Sequence, residues 1–292
     1  MAKAKAIVNR RKSVVNTRKI TKTMELVSTA KFKQSFNRVA NAMPYRKTLQ
    51  DVMHDLAAAG GSVEHPLLAR REPVKHVTVL LLTSNRGLAG GFNSNLIRMA
   101  RNYVEEFRAQ GAEIALHVVG KKGLTALRHA GQKLAGEHGH FGDRPEYADV
   151  ETLANEFLAA YSTAHTDQVA IVYQQYLSGA VQRPHVQVLL PLEAAATAAG
   201  DGAKKAQTEY LYSPDARTIL ASLLPAYFRT ALYHAFLENA VGEQRARMVA
   251  MKNATDSAET MIKTLTRAYN RARQSQITNE IAELMGGVEA LK

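Results

Sequence analysis

The chain has 292 residues, no cysteine, 46% apolar residues and a net charge of +12. That length can bury one large core or two modest ones, and the apolar share argues against wholesale disorder. The missing cysteines exclude disulfides and thiolate metal sites, and no apolar run approaches the roughly 20 residues that span a bilayer.

The charge is concentrated. Residues 1–50 carry thirteen Lys/Arg against a single acid, Glu25. That excess suits an extended anionic partner: nucleic acid, an acidic membrane surface or an acidic protein collar. A basic, acid-poor start also fits a transit peptide, but helical periodicity persists throughout and marks the segment as part of the working protein.

Residues 3–58 contain no glycine and one proline, Pro44. Apolar residues recur at Ile20, Met24, Val27, then Phe32, Phe36, Val39, Met43, then Leu49, Val52, Leu56. Those steps of three and four predict an amphipathic helix with phase slips, spanning residues 1–58 as a first domain. Continuous, it would run about 80 Å at 1.5 Å per residue. The segment AAAGGS, residues 57–62, stops it.

The middle, residues 73–212, reads as an α/β domain. The runs HVTVLLLT (76–83), EIALHVVG (113–120), QVAIVYQQYL (168–177) and HVQVLLPL (185–192) predict buried strands. Helical stretches near 94–109, 122–130 and 149–164 alternate with them, which predicts a small parallel sheet. Residues 193–207, poor in bulky apolar side chains, predict a surface loop.

The first strand leads into TSNRGLAGGFN, residues 83–93, a glycine-rich turn running toward a helix. A phosphate-binding P-loop needs G-x-x-x-x-G-K-[ST], with backbone amides on the phosphates and a lysine reaching the terminal ones. Gly87, Gly90 and Gly91 are followed by Phe92, Asn93 and Ser94, so the lysine and hydroxyl are missing, as is the G-x-G-x-x-G spacing. A tight strand-to-helix turn is the better reading. GKKGLT (120–125) fails in the same way. His138 and His140 form the only close histidine pair, with no third ligand at a usable spacing. No nucleophile or zinc-hydrolase motif is present. No catalytic residue, cofactor or metal is expected.

Residues 213–292 form a third domain. Ser213 or Asp215 caps its start, with Pro214 early, and Pro225 predicts a kink or restart. Ile262, Leu265, Tyr269, Ala272 and then Ile277, Ile281, Leu284, Val288, Leu291 keep coiled-coil spacing. Two terminal helices of similar length pair most simply as an antiparallel hairpin. The fold class is therefore α/β: a long antiparallel coiled coil of N- and C-terminal helices with an inserted Rossmann-like parallel α/β domain. Residues alone leave the basic helix open to three readings: a grip on nucleic acid, a site for an acidic protein partner, or a plain solvated coiled-coil face.

Three segments then resemble one family. SVVNTRKITKTMELVSTAKFKQ (13–34), TSNRGLAGGFN (83–93) and the run from Glu238 to Gly287 are similar to the gamma subunit of the rotary F-type ATP synthase, bacterial type, and YLYSPD (210–215) fits the same family. The resemblance covers essentially the whole chain. It implies a non-catalytic rotor shaft coupling proton-driven c-ring rotation to ATP synthesis or hydrolysis at the alpha-beta hexamer. Implied partners are the alpha and beta subunits, epsilon and the c-ring, with no nucleic acid. The membrane is reached only through the c-ring, on the cytoplasmic face of the bacterial inner membrane. By motif position, Met24 and Arg247 resemble residues near the beta lever segment. Gln274, Thr278 and Glu280 resemble the set on the beta catch loops, and Arg86, Gly87, Gly90 and Gly91 the glycine loop beside the hexamer. The family's loop usually has an acid where Asn85 stands, and often a cysteine at Ala89. No cysteine-bearing regulatory insertion is present. The family pattern begins by about residue 9, leaving no room for an organellar presequence. Polar seam residues (Asn239, Asn253, Asp256) are expected to be tolerable in a shaft.

Overall fold

A computed structural model describes residues 2–60, 65–177, 181–192 and 215–289. The predicted loop at 193–207, the cap candidate Ser213 and the seam position Leu291 lie outside them. The elements in order are α1 (Ala2–Gly60), β1 (His76–Leu82), α2 (Phe92–Ala109), β2 (Glu113–Val119), α3 (Lys121–His129), β3 (Gly136–His138), α4 (Tyr147–Ser162), β4 (Gln168–Tyr176), β5 (Gln182–Leu190) and α5 (Ala216–Glu289). Two units divide the chain, Met1–Ala30 with Arg247–Lys292 and Lys31–Ala246.

The second unit holds the sheet, in the order β3-β2-β1-β4-β5. β1 pairs in parallel with β2 and with β4, and β2 with β3. Every β1 residue after His76 is buried, as a central parallel strand covered on both faces must be. On one face Val77, Val79, Leu81, Leu116 and Val118 pack with Phe92, Leu96, Ala100 and Val104 of α2 and with Leu124 and Leu127 of α3. On the other, Leu80, Leu82, Val119 and Ile171 meet Val150, Leu153 and Phe157 of α4, Leu224, Phe228 and Leu232 of α5, and Met53 and Leu56 of α1.

The sheet is not wholly parallel. β5 runs antiparallel to β4, from Val169↔Leu190 to Tyr176↔Gln182. Only residues 177–181 join the two strands, too few for the dozen or more that a parallel crossover takes. β3, a three-residue edge strand inside a glycine-rich stretch, had no apolar run to announce it.

Asp215 caps α5, its Oδ1 accepting the Thr218 amide at 2.8 Å. The helix then continues through Pro225 as one element, with no restart there. An interior proline costs about 3 kcal/mol or more. Leu220, Leu224, Phe228 and Leu232 form one buried stripe around it. At about 1.5–3 kcal/mol per buried side chain, that stripe outweighs the proline. Beyond it, between Ala231 and Arg247, α5 is covered on almost every side. Arg46 of α1 reaches His234 at 2.8 Å, and Phe32 lies under Arg245. The numbering of α1 therefore rises as that of α5 falls.

In the first unit the same antiparallel sense holds. The Arg11 guanidinium lies over Tyr269 at 5.6 Å, Arg18 pairs with Glu259 at 3.0 Å, and the Thr21 and Thr255 hydroxyls meet at 2.8 Å. The seam departs from the expected one. Its buried residues are Thr21, Ser28, Arg247, Met251, Thr255 and Ala258, and the expected Ile262, Leu265, Tyr269 and Ala272 continue that face half-buried, whereas Ile20 (60% exposed), Val27, Ile277, Ile281 and Leu284 point outward. Asn253 and Asp256 are also on the outside, and of the three polar seam candidates only Asn239 is buried. Ile281 and Leu284 have no α1 residue opposite, because α1 is used up near the level of residue 278 when Arg11 faces Tyr269. Threonines decorate both helices. Thr17, Thr23 and Thr29 donate to the carbonyls four residues back, as do Thr255, Thr260, Thr264, Thr266 and Thr278.

Candidate functional site

The glycine loop occupies the carboxyl end of β1, beside the point where the parallel sheet reverses its winding. That crevice is where open α/β sheets take ligands. Here α5 fills it. Asn239 Oδ1 accepts the Gln174 amide at 3.1 Å and Glu238 Oε2 accepts the Tyr176 amide at 3.2 Å. Gly242 brings the helix so near β4 that a Cβ there would lie 2.5 Å from Gln174 Cγ. The hollow left beside Asn85, Asp143, Asn239 and Glu243 is about 30 Å³, room for a couple of waters.

The loop is rigid through its polar residues. Thr83 Oγ1 donates to the Val119 carbonyl (2.7 Å) and accepts the Gly123 amide (3.0 Å), tying β1 to the start of α3. Asn93 Oδ1 accepts the Ser84 amide at 3.0 Å, and the Ser84 hydroxyl donates to Arg86 O at 2.6 Å. Asn85 uses both ends of its amide, donating to Phe141 O (2.6 Å) and accepting the Lys121 amide (3.1 Å). An aspartate could make only the second bond.

Of the predicted loop residues, Arg86, Gly90 and Gly91 are exposed and Gly87 is half-buried. Gly90 has a φ of +57°, in the left-handed region that favours glycine. A Cβ on Gly87 would meet nothing nearer than Lys122 Cε at 3.6 Å, an ordinary contact. A close backbone approach is found at Gly120, where a Cβ would fall 2.3 Å from Thr83 O. Sequence reading missed Leu88. It is 61% exposed at the loop tip with φ +65°, a conformation that costs a branched side chain about 1–3 kcal/mol and persists where the surroundings impose it.

The helix pair of the first unit is the second candidate surface. Met24 is half-buried and Arg247 buried, while Gln274, Thr278 and Glu280 are exposed on successive turns of α5. Glu280 accepts from Gln276 at 2.8 Å. Ile20, Leu26 (59% exposed), Val27, Val249, Met261, Ile281, Leu284 and Met285 give the pair an apolar exterior over a hydroxyl-lined seam. Apolar side chains left exposed along a helix pair suit a surface that other proteins cover.

His117 and His138, on β2 and β3, come together with Nδ1···Nε2 3.2 Å, a contact the spacing did not disclose. Burial pushes His117 down to about 4 and also lowers His138. Among the described residues no three His, Asp or Glu gather as a metal site, and no helix is long and apolar enough to cross a membrane.

Comparison with known proteins shows the family. The ATP synthase family model matches residues 3–291. The ATP synthase gamma chain of Rhodopirellula baltica is 43% identical over 295 residues, and that of Leptospira biflexa 40% over 292, each covering 100% of both chains. Among solved structures, a chain of the Euglena gracilis mitochondrial ATP synthase (OSCP/F1/c-ring) superposes with a TM-score of 0.68 at 21% identity, covering 99% of this chain and 95% of that one. The Tetrahymena thermophila central stalk/c-ring structure gives 0.57, covering 80% and 99%. At such identity the last two speak for the fold.

Proposed function

We infer the mechanism from one premise: the chain belongs to the ATP synthase gamma-chain family. It is the central rotor shaft of an F-type ATP synthase, a part of that enzyme complex, and works with the alpha-beta hexamer, epsilon and the c-ring. The alternative of a nucleic-acid binder has no support. The observation that carries the detailed reading is the helix pair that leaves Ile20, Leu26, Val27 and Met261 outside while Thr21, Ser28 and Thr255 sit inside with Met251 and Ala258.

Such a pair suits a sleeve. Its exposed apolar residues can slide against a surrounding ring, where ion-pair locks would hold it fast. The cations of residues 1–50 add soft, screened attraction to acidic segments of the ring, remade at each step. Unlike faces let one shaft bias the ring's subunits toward different states, since only differential contacts shift an equilibrium. Met24 and Arg247 serve the contact with the beta lever, Gln274, Thr278 and Glu280 the beta catch loops, and Arg86, Gly87, Gly90 and Gly91, with Leu88 at the tip, the face beside the hexamer. The chain itself catalyses nothing. The crevice in which an α/β sheet would hold a nucleotide is taken by α5. Membrane attachment is peripheral, through the c-ring, on the cytoplasmic face.

Met24→Lys tests this. The variant assembles with alpha and beta and still supports ATP hydrolysis, while ATP-driven proton pumping falls. Unchanged pumping would remove Met24 from the coupling surface. Hydrolysis of ATP by the isolated chain at enzyme-like rates would overturn the non-catalytic reading.

A further inference from the structure

The edge strand β3 is held by three residue pairs with β2: His117↔Gly136, Val118↔Glu137 and Val119↔His138. Its side chains are fastened twice: Glu137 accepts from Arg128 of α3, and His117 meets His138 with rings stacked at 12° and nitrogens 3.2 Å apart. The His117 ring is wedged edge-on against Phe157 of α4 at 5.1 Å. It also fills the space beside Gly136, where a Cβ would lie 2.2 Å from its Nδ1. The charged and titratable groups around the pair are Glu156 of α4 and His140 of the segment after β3.

Beyond β3 the chain forms a strap. Residues 139–146 leave the strand and tie the sheet to both long helices within the second unit. Phe141 packs on Phe236 of α5 at 4.9 Å, and its carbonyl accepts from Asn85. Asp143 accepts from Lys31 at 2.6 Å, and the Pro145 carbonyl accepts from Arg38 at 3.0 Å. The strap begins where the histidine pair ends.

We propose that His117 and His138 form an acid-sensitive latch, which holds β3 and the 139–146 strap against the sheet when neutral and releases them when both rings are protonated. A neutral pair shares one N–H between the facing nitrogens. A first proton can sit on an outward nitrogen and leave that bond intact. The second forces two N–H donors and two positive charges into contact at a half-buried site, which neither Coulomb repulsion nor desolvation permits. Glu156 is one carboxylate against two charges. The rings titrate lower in the closed state than their ordinary 6.5, so closure is favoured above that value and lost as pH falls from it toward about 4. Two linked protons make the response steeper than any single histidine gives.

Hydrogen–deuterium exchange of the full chain tests the latch. Corrected for intrinsic rates, opening of residues 135–146 rises at least about tenfold between about pH 7.5 and about pH 5, while β4 amides keep their protection. In His117→Gln/His138→Gln, whose amides can still bond to one another, the rise disappears. If that variant fails to fold, His138→Gln alone reduces the dependence to one proton. A strap whose exchange is flat with pH in the unaltered chain, or whose pH dependence survives the double substitution, overturns the proposal.

Discussion

Gly242→Ala sets two sizeable effects against each other. In an exposed helix interior, alanine for glycine stabilises by about 1 kcal/mol, because the unfolded chain loses freedom and the helix gains propensity. Gly242 is not exposed in that sense. Its added methyl would stand 2.5 Å from Gln174 Cγ and 2.8 Å from Gln174 Cβ, atoms near the β4 backbone that cannot swing away. Relief needs a shift of about 1 Å between α5 and β4. Overpacking of this kind costs about 1–3 kcal/mol. The shift also loosens the Gln174 amide bond to Asn239, at about 0.5–1.5 kcal/mol. The expected net loss is about 1–3 kcal/mol, read as a lower urea midpoint at unchanged slope. Gln174→Ala in the same background clears the Cγ obstruction and recovers part of the loss. Gly286→Ala, with nothing within 4 Å of its Cβ, stabilises slightly and serves as control. If Gly242→Ala raised the midpoint as Gly286→Ala does, the helix would not be seated on β4 as described.

Thr83→Val keeps the shape of the loop and leaves the Gly123 amide buried without its acceptor. A loss of about 1–3 kcal/mol is expected, with Thr83→Ser close to the parent in thermal unfolding. Asn85→Asp sets a carboxylate against the Phe141 carbonyl and destabilises by a similar amount at neutral pH. The loss shrinks below about pH 4, where the acid can donate, and circular dichroism melts across pH would show it. Asp167 is pushed up by burial, but the amides of Lys75 and His76 at 2.9 Å outweigh that and hold it below 3.8. A depressed carboxylate stabilises above its unfolded value and loses that contribution as pH falls. The stability gap between the parent and Asp167→Ala is therefore full near neutrality and closes under acid.

Much of this was written in the sequence, and the failures have particular causes. Steps of three and four announced both terminal helices, and runs of β-branched residues announced β1, β2 and β4. The five residues between β4 and β5 were already too few for a parallel crossover, so the antiparallel edge was legible and overlooked. β3 was not legible, because its three residues are placed by His117 and Gly136 rather than by any pattern of their own. The seam was legible from Ile262 to Ala272, which keep the face of Met251, Thr255 and Ala258, and failed elsewhere for a further reason. Apolar spacing tells which face seeks burial, and for Ile20 and Val27 that burial is not provided by this chain. The threonines and Ser28 inside the pair carry no periodic signal at all. Spacing correctly refused the glycine loop as a nucleotide site, but the occupant of the crevice, α5, comes from more than a hundred residues away in sequence.

The threonine hydroxyls of the first unit carry a mechanical consequence. Each one bonded to the carbonyl four residues back competes with the amide that the carbonyl already serves, and a helix so treated softens and bends at that turn. With such turns at Thr17, Thr23 and Thr29 on one helix and at Thr255, Thr260, Thr264, Thr266 and Thr278 on the other, compliance is spread along both helices and not gathered at one hinge. A helix pair built this way yields a little at many turns under twist and has no single turn at which it must break.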